Sequence, residues 1–380
     1  MKRVLKFFSN HLKHMDKVIP VICIGLTVFD IFLVNSMVKP GFVDEHAVKV
    51  QLAAAILGIC AAGVISLIDY KFISKCWFVI APVALILQLL VWTPLGVRRD
   101  DDLAWLEIGP ISIQPSEILK FVFIITLATH IHKLGDKINS PKHLLPLLAH
   151  GLFPAGLIMI QGDAGSGLVF VFIFVVMMFA AGISWKYIVA GIACVPPILY
   201  VAWNFIMQDH HRKRILILFD KEMQEQEILD AYMQQYNGTI CLGSGQLKGL
   251  GFTNTDNYHW TFEINNDYVF SYIGMTMGFI GCMAVILVLM VLCLKILSDA
   301  SGAQDKLGKM ICTGVFALLF FHCVINIGMV LSVVPVIGIP LPFISTGGTA
   351  MLMMHACMGL VLSVSAHKEK EKHMFYTEKD

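Results

Sequence analysis

Residues 267–297 read DYVFSYIGMTMGFIGCMAVILVLMVLCLKIL, a run in which only Asp267 and Lys295, near its two ends, carry charge. A bilayer-crossing helix needs about 20 predominantly apolar residues, and this run exceeds that with no polar face to turn toward water. Lipid is its natural solvent. The same reading, carried outward in both directions, places spans at 18–36, 49–68, 76–95, 115–132, 144–161, 166–183, 187–207, 267–297, 309–331 and 348–366. The expected fold class is an all-α polytopic membrane protein of about ten transmembrane helices.

Composition agrees across the 380 residues: 57% are hydrophobic and 14% charged, with a mean hydropathy of +0.74. Soluble chains run near ~45–50% and ~25%. A soluble fold of this size still leaves roughly a quarter of its unfolded surface in water, which cannot hide that excess. A secreted domain, a nucleic-acid binder and a disordered scaffold are therefore excluded, and a net charge of +1 favours no polyanionic partner. Cys23, Cys60, Cys194, Cys282, Cys293, Cys312, Cys323 and Cys357 sit inside apolar runs, where thiols behave as small hydrophobes, and Cys76 lies at the edge of another. Only Cys241 falls in a long polar stretch, so no disulfide framework is expected outside the membrane.

Charge sets the expected orientation. The basic stretch MKRVLKFFSNHLKHMDK precedes the first apolar run without a cleavage-site pattern after it, which reads as an uncleaved first span with a cytoplasmic flank. An even number of spans then puts both termini in the cytoplasm. Inner loops carry Lys71, Lys75, Lys133, Lys137, Lys142, Lys186, Lys306 and Lys309, and the tail Lys368, Lys370 and Lys372. Short outer loops carry less: Lys39, Lys49, and Arg98 with Arg99, followed at once by Asp100 to Asp102. One outer segment, about 208–266, is polar throughout and too long for an ordinary connection. Within it, Lys221–Gln235 patterns as an amphipathic surface helix with Met223, Ile228, Leu229 and Met233 on its apolar side, and the GSGQLKGLGF that follows is too glycine-rich for a helix. No second domain is visible.

Charges at membrane depth cost at least ~2.5–3.5 kcal/mol each on insertion scales and need a reason. In WLEIGPISIQPSEILK (105–120), Pro115 suits a first helical turn, and Glu117 and Lys120 follow on one face. That is either a helix start with its own ion pair or the mouth of an outward polar pocket. In QGDAGSG (161–167), Asp163 either caps the next helix or meets a ligand let in by the flanking glycines. Arg212, Lys213 and Arg214 form a basic cluster past the seventh span, suited to headgroups or to a phosphate clamp. His210 and His211 lack partner ligands, so no metal site is read there and no clear ligand set indicates a divalent cation. Glu263 and Asp267 are four apart, on one face if helical, and Asp267 is otherwise a helix cap. Finally, Pro335, Pro340 and Pro342 with Gly338, Gly347 and Gly348 break any helix before the last span, giving an irregular outer segment.

Taken together, WLEIGPISIQPSEILK, QGDAGSG, RIL at Arg214–Leu216, GSGQLKGLGF and NIGMVLSVVPVIGIPLPFISTGG (326–348) resemble the SEDS family (shape, elongation, division and sporulation), in family order and over nearly the whole chain. The resemblance implies a single transmembrane domain over 1–380 in a bacterial cytoplasmic membrane. It also implies a peptidoglycan glycosyltransferase that polymerises lipid II at the outer face beside a class B penicillin-binding protein. Glu263 and Asp267 match the family's P-E-x-x-x-D-F motif, with Phe262 in place of its proline. Where the family has I-G-E-E-x-G-F this chain has Met275 and Thr276 for the acidic pair, and Gly162, Gln246 and Leu250 are further departures. On this basis Asp267 is expected to be the catalytic base. Arg214 and Lys120 would hold the departing pyrophosphate, with Glu117 orienting Lys120. Asp163 would contact sugar or a cation, and Glu263 and Ser345 are placed with the substrate-binding residues. Two other classes fit the polar spans: a weakly active scaffold that recruits the transpeptidase, and a flippase of lipid-linked sugars. A flippase needs a polar path to the inner face, whereas the polar motifs gather at the outer one.

Overall fold

A computed structural model of the chain describes residues 15–99, 102–109, 111–207, 209–220, 222–223, 232–253 and 255–367. Eight helices in it are long and apolar enough to cross a membrane, and two shorter apolar ones, Trp77–Trp92 and Ala164–Ala180, accompany them. In chain order the helices are α1 (Val18–Ser36), α2 (Glu45–Leu67), the short α3 (Tyr70–Lys75), α4 (Trp77–Leu89), α5 (Pro115–Leu134) and α6 (Pro141–Ile160). There follow α7 (Ala164–Ala180), α8 (Trp185–Val201), α9 (Asp209–Leu216), α10 (Met233–Ser244), α11 (Val269–Ser301), α12 (Lys306–Val330) and α13 (Gly348–Ala366). The spans stand where the apolar windows put them, and α1 and α13 coincide with 18–36 and 348–366.

Ends are set by local chemistry. Asp44, Asp163 and Asp305 each accept a backbone N–H of the first turn of α2, α7 and α12, satisfying donors that a helix start leaves open. Pro115 opens α5 and Gly135 closes it. In the middle of the bundle lie α13, α12 and α5, whose apolar windows are 83%, 67% and 61% buried, whereas that of α8 holds no buried residue, which places it at the lipid-facing edge. α13 packs most extensively on α2. Small residues allow the close approach: a Cβ on Gly359 would stand 2.8 Å from the Ala62 carbonyl oxygen.

Two features were not anticipated. Between α4 and α5 the chain forms an antiparallel sheet, β1 (Gly96–Arg99), β2 (Asp102–Ile108) and β3 (Ile111–Ile113), with Leu106 opposite both Gly96 and Ile113. The long loop also contains two helices, α9 and α10; α10 turns Gln235, Gly238 and Cys241 inward. The amphipathic helix expected over Lys221–Gln235 lies largely outside the described residues, as do the basic stretch 1–14 and the tail lysines Lys368, Lys370 and Lys372.

Candidate active site

Residues 331–347, between α12 and α13, form no helix, since Pro335, Pro340 and Pro342 supply no N–H. Irregular backbone at the end of a bundle must have its polar groups satisfied by neighbours. Asn326 of α12 donates through Nδ2 to Ile339 O and to Asp267 O, each at 2.8 Å. His322 Nδ1 is 3.1 Å from Pro340 O, which can only accept, so Nδ1 carries the proton. Gln51 of α2 donates to Ser345 O at 3.2 Å and accepts from Gly347 N at 3.2 Å. The loop is thus fastened to α2 and α12, and Asn326 ties Asp267, just before α11, to the same place.

Asp267 immediately precedes α11, whose N-cap is Tyr268. Its side chain is buried, and a Cβ on Gly338 would stand 3.4 Å from Asp267 Oδ2, which puts the carboxylate against the loop backbone. Glu263 departs from expectation. It takes φ +52° and its carbonyl accepts from Asn266 N at 3.0 Å and Tyr268 N at 2.9 Å, so 263–267 is a turn and not a helical face. Its side chain is exposed, 3.5 Å from Asn266 Nδ2, and does not share Asp267's environment.

The same turn is pinned to the proline-rich loop. Ser345 Oγ donates to Asn266 O and accepts from Leu341 N, both at 2.7 Å. Thr346 N donates to Asn265 O at 2.9 Å, and Asn265 Nδ2 donates to Thr346 Oγ1 at 2.9 Å. With its hydroxyl so engaged, Ser345 fixes where Asp267 stands.

Glu117 and Lys120 form a buried ion pair at the start of α5, Nζ to Oε1 2.6 Å, with side chains 5% and 2% exposed. His322 and Cys357 lie within electrostatic range of Lys120, and His322 is the residue that bonds Pro340 O in the middle of the loop. Asp163 is a helix cap and also bonds the neighbouring motif. Its Oδ1 caps α7 through Ser166 N at 2.8 Å, and its Oδ2 accepts from Gln114 Nε2 at 3.2 Å. Gly165 is required here, since a Cβ would stand 2.6 Å from Ile337 O. Leu103 N of β2 donates to Gln161 O at 3.0 Å, and the sheet thereby holds the 105–120 and 161–167 motifs together. Arg214, half-buried on α9, is within electrostatic range of Tyr268, whereas Arg212 pairs with exposed Asp209 at 3.4 Å. Among the described residues no three His, Cys, Asp or Glu side chains converge to hold a metal.

The glycine-rich stretch 243–252 is backbone-paired to α11: Leu250 N to Met275 O 2.8 Å, Gly251 N to Thr276 O 3.0 Å, and Phe279 N to Gln246 O 2.8 Å. Met275 and Thr276, which replace the family's acidic pair, are 0% and 2% exposed inside this seam. They pack it.

Sequence reasoning missed a second polar layer. Asp30 of α1 is 0% exposed and accepts from Gln51 Nε2 at 2.7 Å, while Thr27 Oγ1 is 3.1 Å from His355 Nε2. A carboxylate inside the window 18–36 was the available signal; its partner lies on another span, beyond any local pattern.

A bundle of spanning helices whose one end gathers a buried carboxylate, an ion pair and a proline-rich loop defines an integral membrane protein with a polar site closed off from lipid. The chain belongs to the FtsW, RodA and SpoVE family, described as cell cycle proteins, whose family model matches residues 16–370. It is 25% identical over 360 residues to the peptidoglycan glycosyltransferase MrdB of Escherichia coli K12, covering 94% of this chain and 95% of that one. To a probable peptidoglycan glycosyltransferase FtsW of Trichlorobacter lovleyi it is 28% identical over 364 residues, 93% and 94% of the two chains. Its fold is that of a chain solved in work on "structural coordination of polymerization and crosslinking by a peptidoglycan synthase complex", with TM-score 0.79, 22% identity and coverage of 94% and 99%. It is also that of the rod shape determining protein RodA of Thermus thermophilus, with TM-score 0.67, 20% identity and coverage of 94% and 97%.

Proposed function

We propose that this membrane protein is a peptidoglycan glycosyltransferase that polymerises lipid II at the outer face of the cytoplasmic membrane, with both termini inside. The names of relatives matching along almost the whole chain support the activity. The observation that carries the site is the position of Asp267: a buried carboxylate just before α11, against the backbone of Gly338 in a loop whose Pro340 is bonded by His322, itself within electrostatic range of Lys120.

The chemistry follows from those groups. An acceptor sugar hydroxyl is a poor nucleophile. Asp267 takes its proton as the oxygen attacks the anomeric carbon of the donor, a new C–O bond forms, and the bond from that carbon to the lipid pyrophosphate breaks. A positioned general base contributes ~10²–10⁴-fold. Lys120 and Arg214 stabilise the charge arriving on the pyrophosphate, and a cation already fixed in a low-dielectric site does so without reorganising. Glu117 holds Lys120 in place, Asp163 and Gln114 offer polar contacts to sugar, and Ser345 positions the turn that carries Asp267. The partner is a class B penicillin-binding protein that crosslinks the glycan.

Purified protein, with and without that partner, is to be given fluorescent lipid II and the products resolved by length. Glycan polymers are expected. A flippase yields none under any condition, and a scaffold leaves lipid II unpolymerised even with its partner bound.

A further inference from the structure

At the other end of the bundle the structure holds a cavity of about 480 Å³ with basic side chains in its lining, within the usual size range of small-molecule pockets. Helix α5 joins the two regions. It carries Glu117 and Lys120 in its first turns, Thr129, His132 and Lys133 in its last, and at 1.5 Å per residue is about 30 Å long. Into this cavity converge Lys71 and Lys75 from α3 and Lys133 from α5, with Asp305 facing them from the start of α12.

Asp305 is already engaged. Its Oδ1 caps α12 through Gly308 N at 2.7 Å, and its Oδ2 takes Tyr70 OH at 3.1 Å and Lys71 Nζ at 3.4 Å. Lys75 and Lys133 form no ion pair among the described residues. Lys133 instead lies over the Trp77 ring, 4.8 Å from its centroid. Beneath it lies a buried hydroxyl pair: Thr129 Oγ1 donates to Ile125 O at 2.7 Å and so accepts from Ser74 Oγ at 2.7 Å, which leaves the lysine ammoniums as the groups able to meet an anion. The positive-inside rule asks only that lysines be present in inner loops. It does not require three of them, from two separate segments, to meet around one cavity.

We infer that this cavity binds a phosphate-bearing anion, the headgroup of an anionic phospholipid from the leaflet it faces. Ammonium groups around a concave floor suit a phosphodiester, and basic pockets between spans are a recurring headgroup site. Lipid is favoured over free phosphate because large apolar side chains flank the cavity toward the bilayer: Phe72, Trp77 and Phe78 are 61%, 43% and 64% exposed. Acyl chains lie along those rings while the headgroup turns inward.

The test is native mass spectrometry of the full-length protein in an uncharged detergent, titrated separately with phosphatidylglycerol, phosphatidylcholine and inorganic phosphate. One phosphatidylglycerol should be retained at least ~10-fold more tightly than phosphatidylcholine. With about 5-fold per lysine, Lys75→Gln/Lys133→Gln should weaken that binding roughly 25-fold at an unchanged melting temperature. The Lys75→Arg/Lys133→Arg variant should restore most of it, and Lys142→Gln, exposed in the first turn of α6, should change nothing. Equal retention of the two lipids, or undiminished phosphatidylglycerol binding by the double glutamine variant, overturns the inference. Tight inorganic phosphate binding without lipid preference keeps an anion site but overturns the lipid as its occupant.

Discussion

Replacing Lys120 by methionine removes a charge with little change of volume, so its effects on stability and on activity can be separated. Lys120 and Glu117 are 2% and 5% exposed and 2.6 Å apart. Losing one partner strands the Glu117 carboxylate in the bundle, a change that costs about 3–5 kcal/mol, whereas replacing both by apolar residues of similar volume is often neutral or stabilising. Lys120→Met alone should therefore unfold at lower temperature, and Glu117→Met/Lys120→Met should regain wild-type stability or exceed it. Activity should not recover with it. If Lys120 holds the departing anion, both variants polymerise lipid II ~10²-fold or more below wild type, the double variant in protein that melts normally. Thermal unfolding in mild detergent and gel analysis of glycan products read the two quantities independently. A stable double variant with wild-type polymerisation would reduce the pair to a structural element, and a Lys120→Met protein of unchanged stability would refute the burial argument.

Gln51→Leu leaves Asp30, Ser345 O and Gly347 N without their partner; at ~1–3 kcal/mol for an unsatisfied buried group, a lower melting temperature and a slower turnover are expected, and normal values would mean that the loop is held elsewhere. Gly249 takes φ +82° with the Thr276 carbonyl in contact, so Gly249→Ala should destabilise by about 1–3 kcal/mol in the same melting assay. Arg214→Gln should slow polymerisation far more than Arg212→Gln, since only Arg214 approaches Tyr268; equal, small, salt-sensitive losses would favour headgroup attraction. In a cysteine-free background, a cysteine at Phe219, 84% exposed, should label with an impermeant reagent in intact cells and one at Gly135 should not, and the reverse pattern would invert the proposed orientation.

Much of the architecture was legible because lipid imposes one requirement, apolar length, on every span. Runs such as 18–36 and 348–366 satisfy it with sharp polar or glycine-proline edges. The sheet at 96–113 was not, since Arg98, Arg99 and Asp100–Asp102 break the alternation that marks a strand. Motif positions led to Asp267, Lys120 and Asp163, yet the sequence left each between a capping or pairing role and a chemical one. For Asp267 the coordinates add that Tyr268 stands at the N-cap of α11, with Asp267 just before it against the backbone of Gly338. Glu263 shows the opposite hazard: a spacing of four means a shared face only in a helix, and its φ of +52° makes the segment a turn. The Asp30–Gln51 bond joins two spans that each look merely apolar, a long-range pairing that no window of sequence contains.

The proposed role of Asp267 rests on a proton acceptor, and asparagine removes that capacity while keeping the shape. Asparagine keeps the side-chain oxygen that a helix start can use, and Asn326 still finds the backbone oxygen it bonds at 2.8 Å. Steady-state polymerisation of lipid II by purified Asp267→Asn, in complex with the crosslinking partner, is therefore the decisive assay. The expected result is normal abundance, melting and partner binding with polymerisation reduced ~10²-fold or more. A folded, partner-bound Asn variant polymerising within a few-fold of wild type would mean that the proton leaves by another route and that Asp267 is not the base.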